Sequence, residues 1–349
     1  MAFVPLFCDS FDHYATAQIS EKWPGASPSV AITSATSRTG TSSMEFVQDA
    51  VAGGVITPNI GKQSNLLVGT AYNPAVASIG TIMNFLDQAG NDYQCFVSLN
   101  ADGSLSVRNH YIGQPGPTLL TTPTGLMRVG IWNTIAIGII FSAAGSVWIW
   151  VNGILVASVT GVNTIHSGNN WCDGVQLSGP ASDLDTSANF DDFYVGYSTT
   201  PLLMPNDYPG ALRIYPYIPA ANETPLQWTP LSGANWQETS QIPPPGDSAY
   251  VTSSTPGDID QYEMQPISGE GPAGVFSIAF GQTVISARID TAGAGSVAPN
   301  IGGTEGTASA LTTSYSMYTE CFALNPVTGQ PFEPGDFTTT TFMGPEVVT

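Results

Sequence analysis

Through most of the first 200 positions apolar and polar residues alternate with a period of two. Glycine, proline, asparagine and aspartate cut the alternation into short runs. The clearest case is the stretch 146–159, SVWIWVNGILVASV, in which two apolar runs flank Asn152-Gly153. Asn-Gly supplies the two positive-φ positions of a type I′ turn, so this stretch predicts a β-hairpin. Val147, Ile149 and Val151 then share one face of the first strand, with Trp148 and Trp150 on the other. A strand that is apolar on both faces needs cover on both, as in a sandwich.

The same reading predicts strands at 3–11, 30–36, 43–47, 66–72, 79–87, 93–99, 104–111, 132–141, 171–178 and 189–197. Turn signals separate them: Trp23-Pro24-Gly25, Thr39-Gly40-Thr41, Asn73-Pro74, the run 89–92 (AGND) and the run 100–103 (NADG). Many short strands spaced by about 8–12 residues mark a sandwich or barrel. No stretch of this half carries a 3.6-residue apolar period, so little helix is expected. Residues 199–210, TTPLLMPNDYPG, break the alternation with three prolines. This predicts a linker at 201–210 between a first domain, 1–200, and a second, 211–349. The second domain opens at 211–217 and runs through a proline-heavy stretch that includes Pro243-Pro244-Pro245. Strands are expected at 250–252, 261–267, 275–280, 283–290 and 315–323, and turns over 325–349. Heptads and repeats of 20–50 residues are absent from the sequence.

Composition sharpens this picture. Charged residues make up 10 % of 349, with 37 Gly and 27 Pro, a mix that favours strands and turns over helices. Seven basic residues face 27 acidic ones, a net charge of −20. Nucleic acid and anionic membrane surfaces both require basic clusters, so neither is an expected partner. The charge reads as a solvated, self-repelling surface, with metal ligation by a few carboxylates as the alternative. Cys8, Cys95, Cys172 and Cys321 lie far apart with no zinc spacing and read as mostly buried thiols; a Cys8–Cys172 or Cys8–Cys95 bridge stays open. The start, MAFVPLFCDSFDHY, lacks a basic flank, and its apolar run is broken at Pro5 and ends at Asp9. No signal peptide is expected. The most apolar region, 126–159, contains Arg128, Asn133 and Asn152 and reads as strands, not a membrane span.

Three segments carry a resemblance: Phe7-Cys8-Asp9-Ser10-Phe11-Asp12 at the start, Trp132-Asn133-Thr134-Ile135 leading into the Asn152-Gly153 hairpin, and Phe190-Asp191-Asp192-Phe193 at the close. In this order they resemble a concanavalin A-like (laminin-G-like) jelly roll, which implies that fold for residues 1–200. In the second half, Trp228-Thr229-Pro230, the segment 251–258 (VTSSTPGD) and the segment 325–332 (NPVTGQPF) resemble bacteriophage virion surface proteins of the tail-fibre or head-decoration type. That resemblance implies a non-enzymatic structural component of a tailed phage virion, made in the host cytoplasm and displayed on the particle. It also implies a homo-oligomer, most often a trimer in fibres, whose partners are other virion proteins and copies of itself, with host surface glycans as a further partner.

Several residue sets invite chemistry. Trp171, beside Asn169 and Asn170 in an expected loop, suits hydroxyl recognition, and Trp148 and Trp150 form either a sugar-stacking platform or core. Asp9, Asp12, Asp191 and Asp192 come together if the ends of the first domain pair. They then supply either calcium ligands, a site that many laminin-G-like domains possess, or carboxylates that orient backbone at strand ends. No other cofactor is implied. Asp258, Asp260 and Glu263 resemble the acidic run of jelly-roll glucanases. On a strand, however, Glu263 points away from the other two, and Asp stands where those enzymes have Glu. Gly293-Ala294-Gly295 mimics a nucleotide-binding fingerprint, but Pro299 follows and no helix does, so 293–298 reads as loop. His13, His110 and His166 have no metal spacing. The expectation is an all-β protein, a jelly roll followed by a second β-sandwich, acting in virion assembly. A stand-alone carbohydrate-binding module is the alternative, and a jelly-roll glycoside hydrolase the third.

Overall fold

The computed structural model describes residues 3–46, 54–75, 80–89, 92–109, 116–179, 187–201, 204–265, 277–291, 293–337 and 342–348. The chain is all-β, as expected, and divides into two compact units, Met1–Tyr215 and Pro216–Thr349. No helix among the described residues is long and apolar enough to cross a membrane.

The first unit is the expected jelly roll. Its strands are β1 (Phe3–Asp9), β2 (Val30–Thr33), β3 (Ser43–Phe46), β4 (Gly54–Ile56), β5 (Asn65–Pro74), β6 (Gly80–Asp87) and β7 (Asp92–Leu99), then β8 (Leu105–Asn109), β9 (Thr118–Thr121), β10 (Asn133–Ile140), β11 (Gly145–Val151), β12 (Ile154–Val162), β13 (Gly174–Ser178) and β14 (Ala188–Ser198). They form an eight-stranded sheet, β12-β11-β10-β5-β14-β3-β2 with β1 on β14, and a six-stranded sheet, β4-β13-β6-β7-β8-β9. The N-terminal strand therefore lies antiparallel beside β14, with Asp9 opposite Phe193, so the two ends of the unit pair.

The Asn152-Gly153 turn has φ of 50° and 82°, the two positive values a type I′ turn demands. Ile135, Ile137 and Ile139 lie opposite Val151, Ile149 and Val147, and all six are buried on the face toward the six-stranded sheet. Phe141 continues that face and meets Phe85 of β6 at 6.0 Å between ring centroids. Trp148 and Trp150 point the other way. They are buried as well, but as cover for the outer face of the eight-stranded sheet: Trp150 stacks on Tyr208 at 4.8 Å. The short helix α1 (Met204–Asp207) supplies Met204, whose Sδ would lie 2.6 Å from any Cβ added at Gly138 of β10. The tryptophans thus do not hold the two sheets together. Alternation shows that both faces are apolar but cannot say which face meets which cover.

The second unit contains β15 (Pro219–Leu226), β16 (Thr229–Pro230), β17 (Val251–Thr252), β18 (Asp260–Met264), β19 (Gly281–Ala287), β20 (Ser296–Ile301), β21 (Thr304–Glu305), β22 (Ser309–Ala310), β23 (Ser316–Phe322) and β24 (Phe342–Val347). A six-stranded sheet, β15-β18-β24-β20-β21 with β22 on β20, is accompanied by the pairs β16-β17 and β19-β23. Tyr262, Met264, Val297, Ala298 and Ile301 form its buried centre. Two expectations are corrected here: 293–298 is not all loop and 325–349 is not all turn, because β20 and β24 are paired strands. Pro299 lies opposite Pro345, and Pro299 turns its carbonyl the other way, to the Gly306 amide at 2.7 Å. An antiparallel pair exchanges backbone bonds only at alternate positions, so two facing prolines fit at a non-bonded one. Of the strand expected at 275–280, residues 275 and 276 lie outside the described set and 277–280 form no strand.

Candidate functional site

Loop 163–173 joins β12 to β13; buried Asn109 holds its start, donating to Asn163 O (2.9 Å) and Ile165 O (3.0 Å), and buried Gln94 shapes the rest. Gln94 of β7 is fully buried; its Nε2 donates to Ser167 Oγ (2.9 Å), Asn169 O (3.0 Å) and Trp171 O (2.8 Å). Its Oε1 accepts from the amides of His166 (2.8 Å) and Ser167 (3.3 Å). An amide can donate and accept at once, so one glutamine serves both kinds of loop backbone group. Asn169 donates to Asp87 Oδ2 at 2.5 Å. At the end of the loop, Cys172 and Gln63 form an isolated antiparallel bridge, each amide donating to the other's carbonyl at 2.9 Å. The bridge brings segment 59–65 against Trp171. Asn59 Oδ1 accepts from the Gly61 amide (2.8 Å), with Gly61 at φ 73°, and Gln63 Nε2 donates to Ile60 O (3.0 Å).

The result is a cleft of about 410 Å³ lined by Lys62, Gln63, Asn65, Asn170, Trp171 and Tyr197, with Ser64, Ser198, Thr199 and Pro201 completing the wall. Trp171 is half-buried; its Nε1 is buried and has no hydrogen-bond acceptor. Lys62 is exposed along its length, and its Nζ sits 4.3 Å from the centre of the Trp171 ring. At an exposed site such a cation–π contact contributes about 0.5–1 kcal/mol, little enough to be exchanged for a ligand. The described lining contains no aspartate or glutamate, although the chain has 27. Aromatic face, amides, hydroxyls and one ammonium make a surface fitted to a polyhydroxylated ring.

Of the residues singled out from sequence, Trp171 and Asn170 line this cleft. Asn169 turns inward to Asp87, and Trp148 and Trp150 are covered by the chain itself. Lys62, Gln63, Tyr197 and the organising Gln94 escaped the sequence reading. Lys62 had one signal, as one of only two lysines, next to an Asn-x-Gly turn. Gln94 looked like an ordinary outward polar position on a strand.

The four aspartates considered for calcium serve the backbone instead. Asp9 is wholly buried: its Oδ2 accepts from Tyr14 OH and Trp23 Nε1, both at 2.7 Å, and its Oδ1 from the Phe11 amide (2.8 Å) with Lys22 Nζ at 3.2 Å. Burial alone would raise its pKa; Lys22, His13 and these donors together bring it below the ordinary value. Asp12 Oδ1 holds the amides of Thr41 (2.7 Å) and Ser42 (2.8 Å), while its Oδ2 is buried without a partner. Asp191 Oδ2 accepts from the amides of Arg38 (2.7 Å) and Thr39 (3.0 Å). Asp192, at φ 50° in a bulge of β14, pairs with Arg38 and accepts from Thr39 Oγ1 (2.9 Å) and the Ile214 amide (2.7 Å). Calcium needs six or more converging oxygens. These carboxylates face N–H and O–H donors, and among the described residues no three acidic, histidine or cysteine groups converge. The set does not fit the ion.

In the second unit Asp260 is fully buried and accepts from the amides of Gln227 and Trp228 (both 2.8 Å), Asn235 Nδ2 (2.6 Å) and Tyr262 OH (2.8 Å). It organises the Trp228 loop and has no oxygen to spare for substrate. Asp258 accepts from Ser253 Oγ at 2.5 Å. His13 is half-buried against Lys22, His166 sits 3.2 Å from Asp92, and His110 lies outside the described residues. All four cysteines are free thiols, three of them buried.

No protein-family model matches the sequence, and no curated protein is similar to it. Among solved structures, the chain is similar to an endo-beta-1,4-glucuronan lyase from the fungus Trichoderma reesei (14 % identity, TM-score 0.44, 57 % of this chain and 98 % of that one). It is also similar to a carbohydrate esterase from the Shiga toxin-encoding bacteriophage phi24B (14 %, 0.38, 55 % and 100 %) and to the alginate lyase vAL-1 from Chlorella virus (13 %, 0.37, 52 % and 96 %). At these identities the likeness concerns the sandwich and not the side chains of a site. Where the sequence led to the expectation of a non-enzymatic virion structural protein, these similar structures are lyases and an esterase.

Proposed function

We propose that this protein is a glycan-acting protein whose first unit seats a saccharide in the Trp171 cleft. The observation that carries the reading is the indole itself: half-buried at the wall of an acid-free cleft, with a donor N–H that has no acceptor. A pyranose offers an apolar C–H face for the ring and hydroxyls for the neighbouring amides. Asn170 and Gln63 are the lining amides placed to read such hydroxyls. Lys62 and Tyr197 bring an ammonium and a phenol to the same lining.

The test is binding and cleavage by the full chain across a panel of neutral, carboxylated and sulfated glycans, with Trp171→Ala alongside. Loss of the indole is expected to weaken binding by about tenfold or more. Absence of binding and cleavage on the whole panel, or a Trp171→Ala protein that binds as the parent does, would refute the proposal.

A further inference from the structure

We infer that Lys62 makes the Trp171 cleft selective for anionic saccharides, an inference that rests on the glycan reading above. Three observations converge on it. Lys62 forms no ion pair among the described residues, although acidic side chains outnumber basic ones 27 to 7. Lys22, Arg38 and Arg288 pair with aspartate; Arg108 and Arg128 share the unpaired state of Lys62 among the described residues, but neither lines the cleft. The described lining also contains no carboxylate; Asp207 lies behind it, where it accepts from Ser198 Oγ and Thr200 Oγ1, so the one charge facing into the cleft is the ammonium. Finally, the backbone under Lys62 is pinned by the Gly61 turn and the Gln63–Cys172 bridge, while its side chain is exposed and its Nζ rests 4.3 Å from the Trp171 ring centre.

An ammonium parked on an indole face covers the surface that a sugar ring would use. A neutral saccharide must displace it and leaves it without a partner. A saccharide bearing a carboxylate or sulfate ester draws Nζ into a charge-assisted hydrogen bond and frees the ring in the same movement. Lys62 therefore acts as a specificity-determining residue, because only an anionic ligand compensates the contact it must break. Net charge of −20 works against anionic ligands at long range, so the preference should be strongest where salt has screened the distant field but the close pair survives.

The experiment titrates the full chain, Lys62→Met and Lys62→Arg with three probes: tetragalacturonate, a sulfated carrageenan tetrasaccharide and cellotetraose. A glycan array covers other sugars of the same three classes. Anionic glycans are expected to bind better than neutral ones. Lys62→Met should weaken the anionic class by roughly tenfold or more, strengthen neutral glycans by a few fold because no ammonium has to be displaced from the ring, and unfold at the same temperature as the parent. Lys62→Arg should keep the preference. Which anionic probe responds separates carboxylate from sulfate as the recognised group. Equal binding of neutral and anionic glycans, or a Lys62→Met protein with unchanged preference, overturns the inference and leaves the glycan reading standing. No binding by any glycan overturns both.

Discussion

Lys22 is a fully buried lysine. Its Nζ lies 3.2 Å from Asp9 Oδ1, donates to Cys8 O at 3.1 Å and reaches His13 Nε2 at 3.1 Å, with the Phe7 ring 5.2 Å away. His13 stays neutral in this setting: burial, then the adjacent ammonium, push its pKa down to about 3. Trp23, whose indole completes the coordination of Asp9, packs on Phe7 and Phe193 at 5.1 and 5.3 Å. The aspartate thus ties β1, α-helical Ile19–Lys22 and β14 together at the place where the ends of the first unit meet. Removing one partner of a buried pair leaves the other charged and unpaired. Lys22→Met is expected to cost about 3 kcal/mol, read as a lower urea midpoint at unchanged slope. A shift of less than about 1 kcal/mol would mean that the hydrogen bonds to Asp9 suffice without the ammonium. Gln94 makes a second residue-scale case. Gln94→Leu should weaken saccharide binding at the Trp171 cleft although its side chain does not line it, because loop 166–171 loses the buried amide that both donates to and accepts from it. Calorimetric titration showing unchanged affinity would remove Gln94 from its positioning role.

At the scale of elements, the centre of the eight-stranded sheet depends on an absence. Gly69 of β5 lies opposite Tyr194 of β14, and a Cβ at position 69 would meet the Tyr194 ring at 2.2–2.4 Å. β5 joins β10 to β14, so a shift there disturbs both pairings. Gly69→Ala should destabilise by about 1–3 kcal/mol, the cost of an overpacked core, as measured by thermal or urea unfolding. The ring must move as a unit, since Tyr194 OH also donates to Gly210 O at 3.1 Å. Most of the first unit was legible at this scale, β4 and β9 excepted, because its strands alternate and its turns carry Gly, Pro, Asn and Asp, which act through local backbone preference. The second unit was less so. Prolines inside β15, β20 and β24 read as breaks, yet a strand tolerates proline wherever its missing N–H faces no partner. Which positions those are depends on the neighbouring strand, not on local sequence.

For the whole molecule, pH acts through groups that pull in opposite directions. Asp191 is raised to about 8, first by burial and then by Asp192 beside it. An acid with a raised folded pKa binds its proton more tightly when folded, so its contribution falls as pH rises from the unfolded value, 3.8, to about 8. His13 works the other way. Its folded value of about 3 lies below the ordinary 6.5, so stability is lost as pH falls from 6.5 toward 3, and Asp9, lowered as well, adds to that loss at the acid end. Between about 4 and 6.5 the two effects offset each other. The melting temperature is therefore expected to form a plateau in mildly acidic buffer, falling above about pH 6.5 and again below about pH 4. The overall charge of −20 steepens the alkaline side through self-repulsion. Stability that climbs steadily from pH 5 to 9 would show that Asp191 is not held as described.

The sequence by itself determined the class and the local geometry: period-two alternation, the type I′ turn at Asn152-Gly153, strand positions across the first unit and a tryptophan in a polar loop. These follow from steric and solvation preferences that act over a few residues. The tertiary structure alone decided what each residue faces. It put Trp148 and Trp150 on an outer face under Met204 and Tyr208, and it set the four aspartates to hold backbone. It also carried Lys62 across more than a hundred positions to the ring of Trp171. Contacts between distant segments depend on how sheets stack and edges pair, and no local preference records that. The cleft is such a contact, which is why one wall of it, Trp171 with Asn170, was visible in the sequence and the other, Lys62 with Gln63 and Tyr197, was not.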